Sequence, residues 1–195
     1  MKRRRTDLAR WLERILLVVG FALVGYYVYV SVETRLYQAL ENRELDAILA
    51  SAPPAAAPAR RPPPAPGSTV GRIEIPRLGV SAVIRAGSDA RTLQLAVGHI
   101  PGTALPGDAG NIGLAGHRDT FFRRLEDVRA DDEIRVVTAD GTFRFEVEDT
   151  RVVKPKDTWV LNPTRTATLT LVTCYPFTYI GSAPDRFIVR AVATE

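Results

Sequence analysis

The sequence predicts a mainly β domain carried behind one transmembrane helix. Three observations support that expectation. Residues 15–32 read ILLVVGFALVGYYVYVSV, eighteen residues without a charge. Residues 51–69 hold seven prolines and six alanines, a density that forbids helix and sheet. Residues 70–195 break into short runs, several of them alternating apolar and polar residues, with turn signals between them.

Composition narrows the classes. The chain has 195 residues, enough for one ordinary domain with appendages or two small ones. One cysteine excludes an internal disulfide, and with only two histidines beside it a four-ligand Cys/His zinc site from this chain alone is excluded as well. The formal charge is +4. Residues 1–14 carry six cations (Lys2, Arg3, Arg4, Arg5, Arg10, Arg14) against Asp7 and Glu13, so they account for all of it, and the remainder is neutral. The basicity belongs to a tip and gives no nucleic-acid face.

Taken in order, the elements are these. Residues 1–14 are expected to form a basic cytoplasmic tip. As a helix, residues 15–32 would cover roughly 27 Å, close to the roughly 30 Å hydrocarbon core of a bilayer. Trp11 lies near one end of that run, with Tyr26, Tyr27 and Tyr29 near the other. A cleaved signal peptide would have a shorter apolar region and a small-residue cleavage site, whereas Glu33, Thr34 and Arg35 follow here. A retained signal anchor is therefore expected, with the cations in the cytoplasm and all that follows outside the membrane. Residues 33–50 are expected to extend that helix or to form a stalk that pairs with a second copy. Residues 51–69 should be an extended spacer, which places a domain boundary near Val70.

Within 70–195, strands are expected at Arg72–Ile75, Val80–Arg85, Asn111–Ala115, Glu133–Thr138, Thr142–Val153, Ala167–Thr173 and Arg186–Thr194. Phe143, Phe145 and Val147 should face one way and Arg144, Glu146 and Glu148 the other. Asp140-Gly141 is a hairpin signal. A short helix is expected over Thr120–Val128. Seven or eight strands in this length point to a single antiparallel barrel or sandwich.

Three residues could carry chemistry. Cys174 ends the run ATLTLVT, His117 directly follows NIGLA, and Arg186 opens RFIVRA twelve residues after the cysteine. Each lies at a strand terminus, held in place yet open on its loop side. A thiol supplies a nucleophile, an imidazole moves protons near neutral pH, and a guanidinium offers fixed donors to a carbonyl or oxyanion. On composition alone, a lone cysteine is most often a small buried hydrophobe.

The wording of the motifs goes further. LTLVTCYPF, GNIGLAGHRDTFF and RFIVRA occur in the order His, Cys, Arg behind an amino-terminal anchor. Together they resemble the sortases, most closely the class D branch, over essentially all of 70–195. The resemblance implies a closed eight-stranded sortase-type β-barrel with short helices, and a cysteine transpeptidase. Its substrate would be a secreted protein bearing a carboxy-terminal Leu-Pro-x-Thr-Gly or Leu-Ala-x-Thr-Gly sorting signal. Its acceptor would be an amine, such as a cell-wall peptide or a pilin lysine. Cys174 matches the nucleophile that forms a thioester acyl-enzyme, His117 the general acid/base, and Arg186 the arginine that orients substrate and stabilises the oxyanion. Thr173 is placed to help position the acyl carbonyl. No cofactor and no metal are expected.

Other residues carry weaker expectations. His99, in AVGHIPGTALPG, either lines the substrate cleft or is a loop histidine. Asp119 either orients His117 or caps the helix expected after it. Asp131-Asp132-Glu133 reads as half a calcium site or as a solvated turn. Two rival functions also stand. One is an extracytoplasmic cysteine peptidase that releases the acyl-enzyme to water, and the other a non-catalytic, membrane-tethered β-module.

Overall fold

The computed structural model describes the backbone of residues 2–51 and 63–194, and the side chains of residues 10–50 and 63–194. Most of the expected spacer, residues 52–62, lies outside the described residues.

The chain forms two compact units, residues 1–37 and residues 38–195. One helix, α1 (Lys2–Ser51), takes in the apolar run and the stretch after it, so 33–50 is a helical continuation. Among the described residues this is the one helix long and apolar enough to cross a membrane, and none of its apolar window is buried in protein.

The second unit is a closed barrel of eight strands. They are β1 (Thr69–Ile75), β2 (Val80–Ala86), β3 (Val97–His99), β4 (Asn111–Ala115), β5 (Glu133–Thr138), β6 (Gly141–Val153), β7 (Thr168–Tyr175) and β8 (Asp185–Ala193). Around the barrel the order is β1-β2-β3-β4-β7-β8-β6-β5, closed by pairing of β1 with β5. A six-residue helix, α2 (Ala90–Leu95), is capped by the Asp89 carboxylate, which accepts from the Arg91 and Thr92 amides. Alternation fills the interior. Ile73, Ile75, Ile112, Leu114, Leu169 and Leu171 are fully buried, and Phe145 and Val147 turn inward from β6 while Arg144, Glu146 and Glu148 are exposed. The β5–β6 hairpin turns through Ala139-Asp140, with Thr138 opposite Gly141, whose φ of +132° favours glycine.

The structure corrects the expected antiparallel arrangement in one important respect. The barrel is mixed, because β2 pairs with β3 and β4 with β7 in parallel. It also adds β3 and α2. β3 has only three residues, one of them glycine, and carries no alternation to read. The helix expected over Thr120–Val128 is a 3-10 segment at Arg123–Asp127. Phe122 and Leu125, three apart, are both fully buried, a spacing that suits three residues per turn.

The barrel unit also begins earlier than the expected boundary near Val70, because the last turns of α1 belong to it. Leu45 is buried. The Gln38 side chain accepts from the Val83 amide and donates to the Leu95 carbonyl, both at 2.8 Å, and so spans the gap where β2 and the entry to β3 diverge. Glu41 accepts from the Thr69 hydroxyl, and Arg72 reaches Asp46 at 2.9 Å and Asn42 at 3.3 Å.

Candidate active site

The parallel pair is what assembles the site. β4 and β7 run side by side in register, with Ala115 opposite Val172. The Gly116 amide extends that ladder to the Val172 carbonyl at 3.1 Å. Two residues beyond that pair stand Cys174, still on β7, and His117, just past the end of β4 in the turn that follows it. On the other side β8 runs antiparallel to β7, and Arg186 is directly opposite Cys174. The three residues therefore meet at one end of the barrel. They line an open cleft of about 320 Å³ with Arg118, Asp119, Gly181, Ser182 and Ala183.

Alternation separates chemistry from support. Thr173, Tyr175 and Phe187 lie on the opposite face of their strands from Cys174 and Arg186. Tyr175, Phe177 and Phe187 pack together, with centroids 5.3 to 6.1 Å apart, and form an apolar backing. Cys174 and Arg186 are half-buried, and His117 is exposed. The Arg186 guanidinium donates to the Asp185 carbonyl at 2.9 Å and the Ala183 carbonyl at 3.3 Å. The turn bearing His117 is closed through its own carbonyl, which accepts from the amides of Thr120 and Phe122. Gly116 permits this turn, since a β-carbon there would stand 2.7 Å from the buried Phe122 ring.

The remaining expected residues fall elsewhere. Thr173 is buried, and its hydroxyl donates to the Gly116 carbonyl at 2.7 Å. It ties β7 to the His117 turn from beneath the cleft and does not line it. His99 is apart from the cleft. Its ring meets the Ala104 carbonyl at 2.8 Å and the Thr103 hydroxyl at 3.2 Å, and burial pushes its pKa below the ordinary value. It lines a different hollow of about 370 Å³, larger than the cleft and more apolar, but without any of the three chemical residues. Asp119 caps no helix, because the 3-10 segment starts later and has no side-chain cap. It is exposed, 3.4 Å from the Arg118 Nε.

The acidic run is a turn ahead of β5 with Asp131 exposed, but Asp132 and Glu133 are held by arginines and not left to solvent. Asp132 is buried and takes a bidentate contact from Arg77, 2.5 Å on one branch, plus the Arg129 amide at 2.8 Å. Glu133 bonds Arg135 and Arg144, which hold its carboxyl down at about 2. Among the described residues no cluster of His, Cys, Asp and Glu could hold a metal ion.

Two supporting residues escaped the sequence reading. Asn111 donates to the Val160 and Asn162 carbonyls, at 3.0 and 3.2 Å, and accepts from the Thr170 hydroxyl at 2.7 Å. It thereby fixes the β6–β7 connection across the outside of β4 and β7. Arg118 is the other. The only available signal was their position, at the head of β4 and directly after His117.

Comparison with known proteins gives a consistent picture. Residues 73–194 match the family model for the Sortase domain. The chain is 38% identical over 127 residues to Sortase D of Bacillus subtilis (strain 168), a stretch covering 65% of this chain and 64% of that protein. It thus spans just under two thirds of that relative's length. Among solved structures it is similar to a Clostridium perfringens Sortase D5 transpeptidase, with a TM-score of 0.60 and 35% identity over 65% of this chain and 79% of the other. It is also similar to the SrtA sortase from Actinomyces oris, with a TM-score of 0.63 and 30% identity over 71% and 86% of the two chains.

Proposed function

This chain belongs to the sortase family, and from that premise we propose that it is a membrane-anchored cysteine transpeptidase acting on secreted proteins with a carboxy-terminal sorting signal of the Leu-Pro-x-Thr-Gly kind. The observation that carries the proposal is the register of β4, β7 and β8, which aligns His117, Cys174 and Arg186 along one cleft. The apolar helix ahead of the barrel, with its cationic tip, supports a cytoplasmic amino terminus and a catalytic domain outside the membrane.

The chemistry balances without a cofactor. The Cys174 Sγ, its proton passed to His117, attacks the carbonyl carbon of the signal's threonine. Arg186 swings from its loop carbonyls to donate to the oxygen that gains charge. The threonine–glycine C–N bond breaks, and the departing amine takes the proton from His117, leaving a thioester on Cys174. An incoming amine then attacks that thioester, His117 takes its proton, and the new amide leaves as sulfur is released. The thioester retains much of the acylating power of the original bond, so no nucleotide is needed outside the cell.

Incubation with a sorting-signal peptide tests this, with and without an amine such as a short glycine peptide. The expected result is a new amide product that grows with amine concentration at the expense of the free acid. Cleavage that yields only the acid at every amine concentration would make the protein a peptidase. No cleavage and no thiol adduct would leave a non-catalytic tethered module.

A further inference from the structure

The loop between Cys174 and Arg186 is nearly devoid of backbone hydrogen bonds of its own. Among the described residues of 176–184, one such bond occurs, from the Tyr179 amide to the Pro176 carbonyl at 3.3 Å. The loop carbonyls are instead gathered by arginines from the segment after His117. Arg118 donates from Nη1 to the Pro176 carbonyl at 2.6 Å, and from Nη2 to the carbonyls of Tyr179 and Gly181. Arg123 donates to the Phe177 carbonyl at 2.8 Å.

Arg118 is 6% exposed. Its Nε is buried with no hydrogen bond, and the nearest carboxylate, Asp119, is exposed and 3.4 Å away. A buried cation is costly unless other groups answer its charge. Here three carbonyl dipoles from one loop do so.

We infer that Arg118 is a positioning residue that clamps the 176–181 loop to the His117 turn, and through that loop sets where Arg186 stands relative to Cys174. The covalent neighbour of Arg118 is His117, and the far end of the clamped loop carries the Ala183 and Asp185 carbonyls that Arg186 holds. One guanidinium thus makes a single body of the histidine turn and the arginine strand. The fork divides the three carbonyls between Nη1 and Nη2, a spread that an ammonium, with its donors on one atom at shorter reach, does not reproduce. Displacements near 1 Å between reacting groups cost rates on the order of a hundredfold, so a loosened loop should be felt in turnover.

The inference rests on the transpeptidase reading for its rate measurement but not for its structural one. Arg118→Lys and Arg118→Gln are made in the full chain, held in detergent. Two quantities are read: kcat and KM with a sorting-signal peptide, and nicking by chymotrypsin after the half-exposed Tyr179. Cleavage there needs the loop carbonyls to leave the Arg118 guanidinium. Expected are a wild type that resists the cut, a rise of about tenfold or more in nicking at that one site in both variants, and a fall of about tenfold in kcat with KM little changed. The barrel should keep its cooperative melt. Nicking of the wild type as fast as of a free peptide overturns the inference. So do variants that resist nicking as the wild type does, and so does global unfolding of both, which would make Arg118 a foundation of the barrel. If the wild type turns over no peptide, the functional reading fails and the cut after Tyr179 still decides the clamp.

Discussion

Two sides of the barrel are built on opposite rules. On the β1–β2 side, side chains finish what the backbone leaves open. Gln38 bridges two peptide groups where strands diverge, Leu45 is buried, and Arg72 ties the last turns of α1 to β1. On the β4–β7–β8 side, strands end abruptly, and His117, Cys174 and Arg186 are left at their tips beside a cleft. The first side should therefore register mutations as stability and the second as rate. A barrel can hold such groups at strand ends because its closed ladder and its far wall supply the rigidity.

The sharpest way to break this contrast is Arg186→Lys. Loss of one oxyanion-type donor costs on the order of 10²–10³ in rate, and lysine lacks the planar fork. Turnover should fall by that much while Tm stays near wild type. Arg190→Lys is the matched control. It is four residues further along the same face, bonded to Glu148 at 2.9 Å, and should stay within about threefold of wild type on the same peptide assay. Equal losses in the two would withdraw the role given to Arg186.

Gly116→Ala tests the one place where packing and chemistry share a residue. The added β-carbon would meet the buried Phe122 ring, so a loss of about 1–3 kcal/mol is expected in denaturant unfolding. Turnover should fall with it, since the ring lies under the His117 turn. On the far side, Gln38→Leu leaves the Val83 amide and the Leu95 carbonyl without their partner. It should also cost about 1–3 kcal/mol, but with turnover of the folded protein unchanged. A turnover defect there would mean that the two sides are not independent.

These contrasts also separate what was legible in the sequence from what was not. The strands of the core and a hairpin near Asp140 could be read, because alternation and turn chemistry are local, and the placing of His117, Cys174 and Arg186 at or near strand ends followed from the same signals. The β4–β7 pairing could not, since strand direction depends on a partner some sixty residues away and leaves no local mark. That parallel pair is what brings His117 beside Cys174, so the residues were legible and the reason for their meeting was not. Arg118 was hidden for a similar reason. An arginine after a histidine reads as a surface charge until the carbonyls of a distant loop are seen around it. Likewise the turn at 131–133 could be read, but the arginines that hold its carboxylates could not, since Arg77 and Arg144 come from other elements.

The smallest expected effect concerns pH and that same run. Asp132 and Glu133 have folded pKa values depressed by their arginines, so the stability they supply is full above their ordinary values. It is lost as pH falls toward the depressed ones, for Glu133 from about 4.5 toward about 2. Arg77→Gln should raise the pH of acid unfolding by about a few tenths of a unit, followed by circular dichroism, and leave neutral-pH turnover alone. An unchanged acid midpoint would show that the Arg77–Asp132 contact carries no pH-dependent stability.

The proposed mechanism depends above all on the thiol at the tip of β7. Intact-mass measurement of the protein incubated with a sorting-signal peptide reads it directly. The wild type should gain the mass of the peptide's acyl portion, ending in threonine, at Cys174, and hydroxylamine should remove it. Cys174→Ala should melt as the wild type does and gain nothing. An adduct that persists in Cys174→Ala, or peptide cleavage by that variant at the wild-type rate, would contradict the assignment of Cys174 as the nucleophile and with it the mechanism.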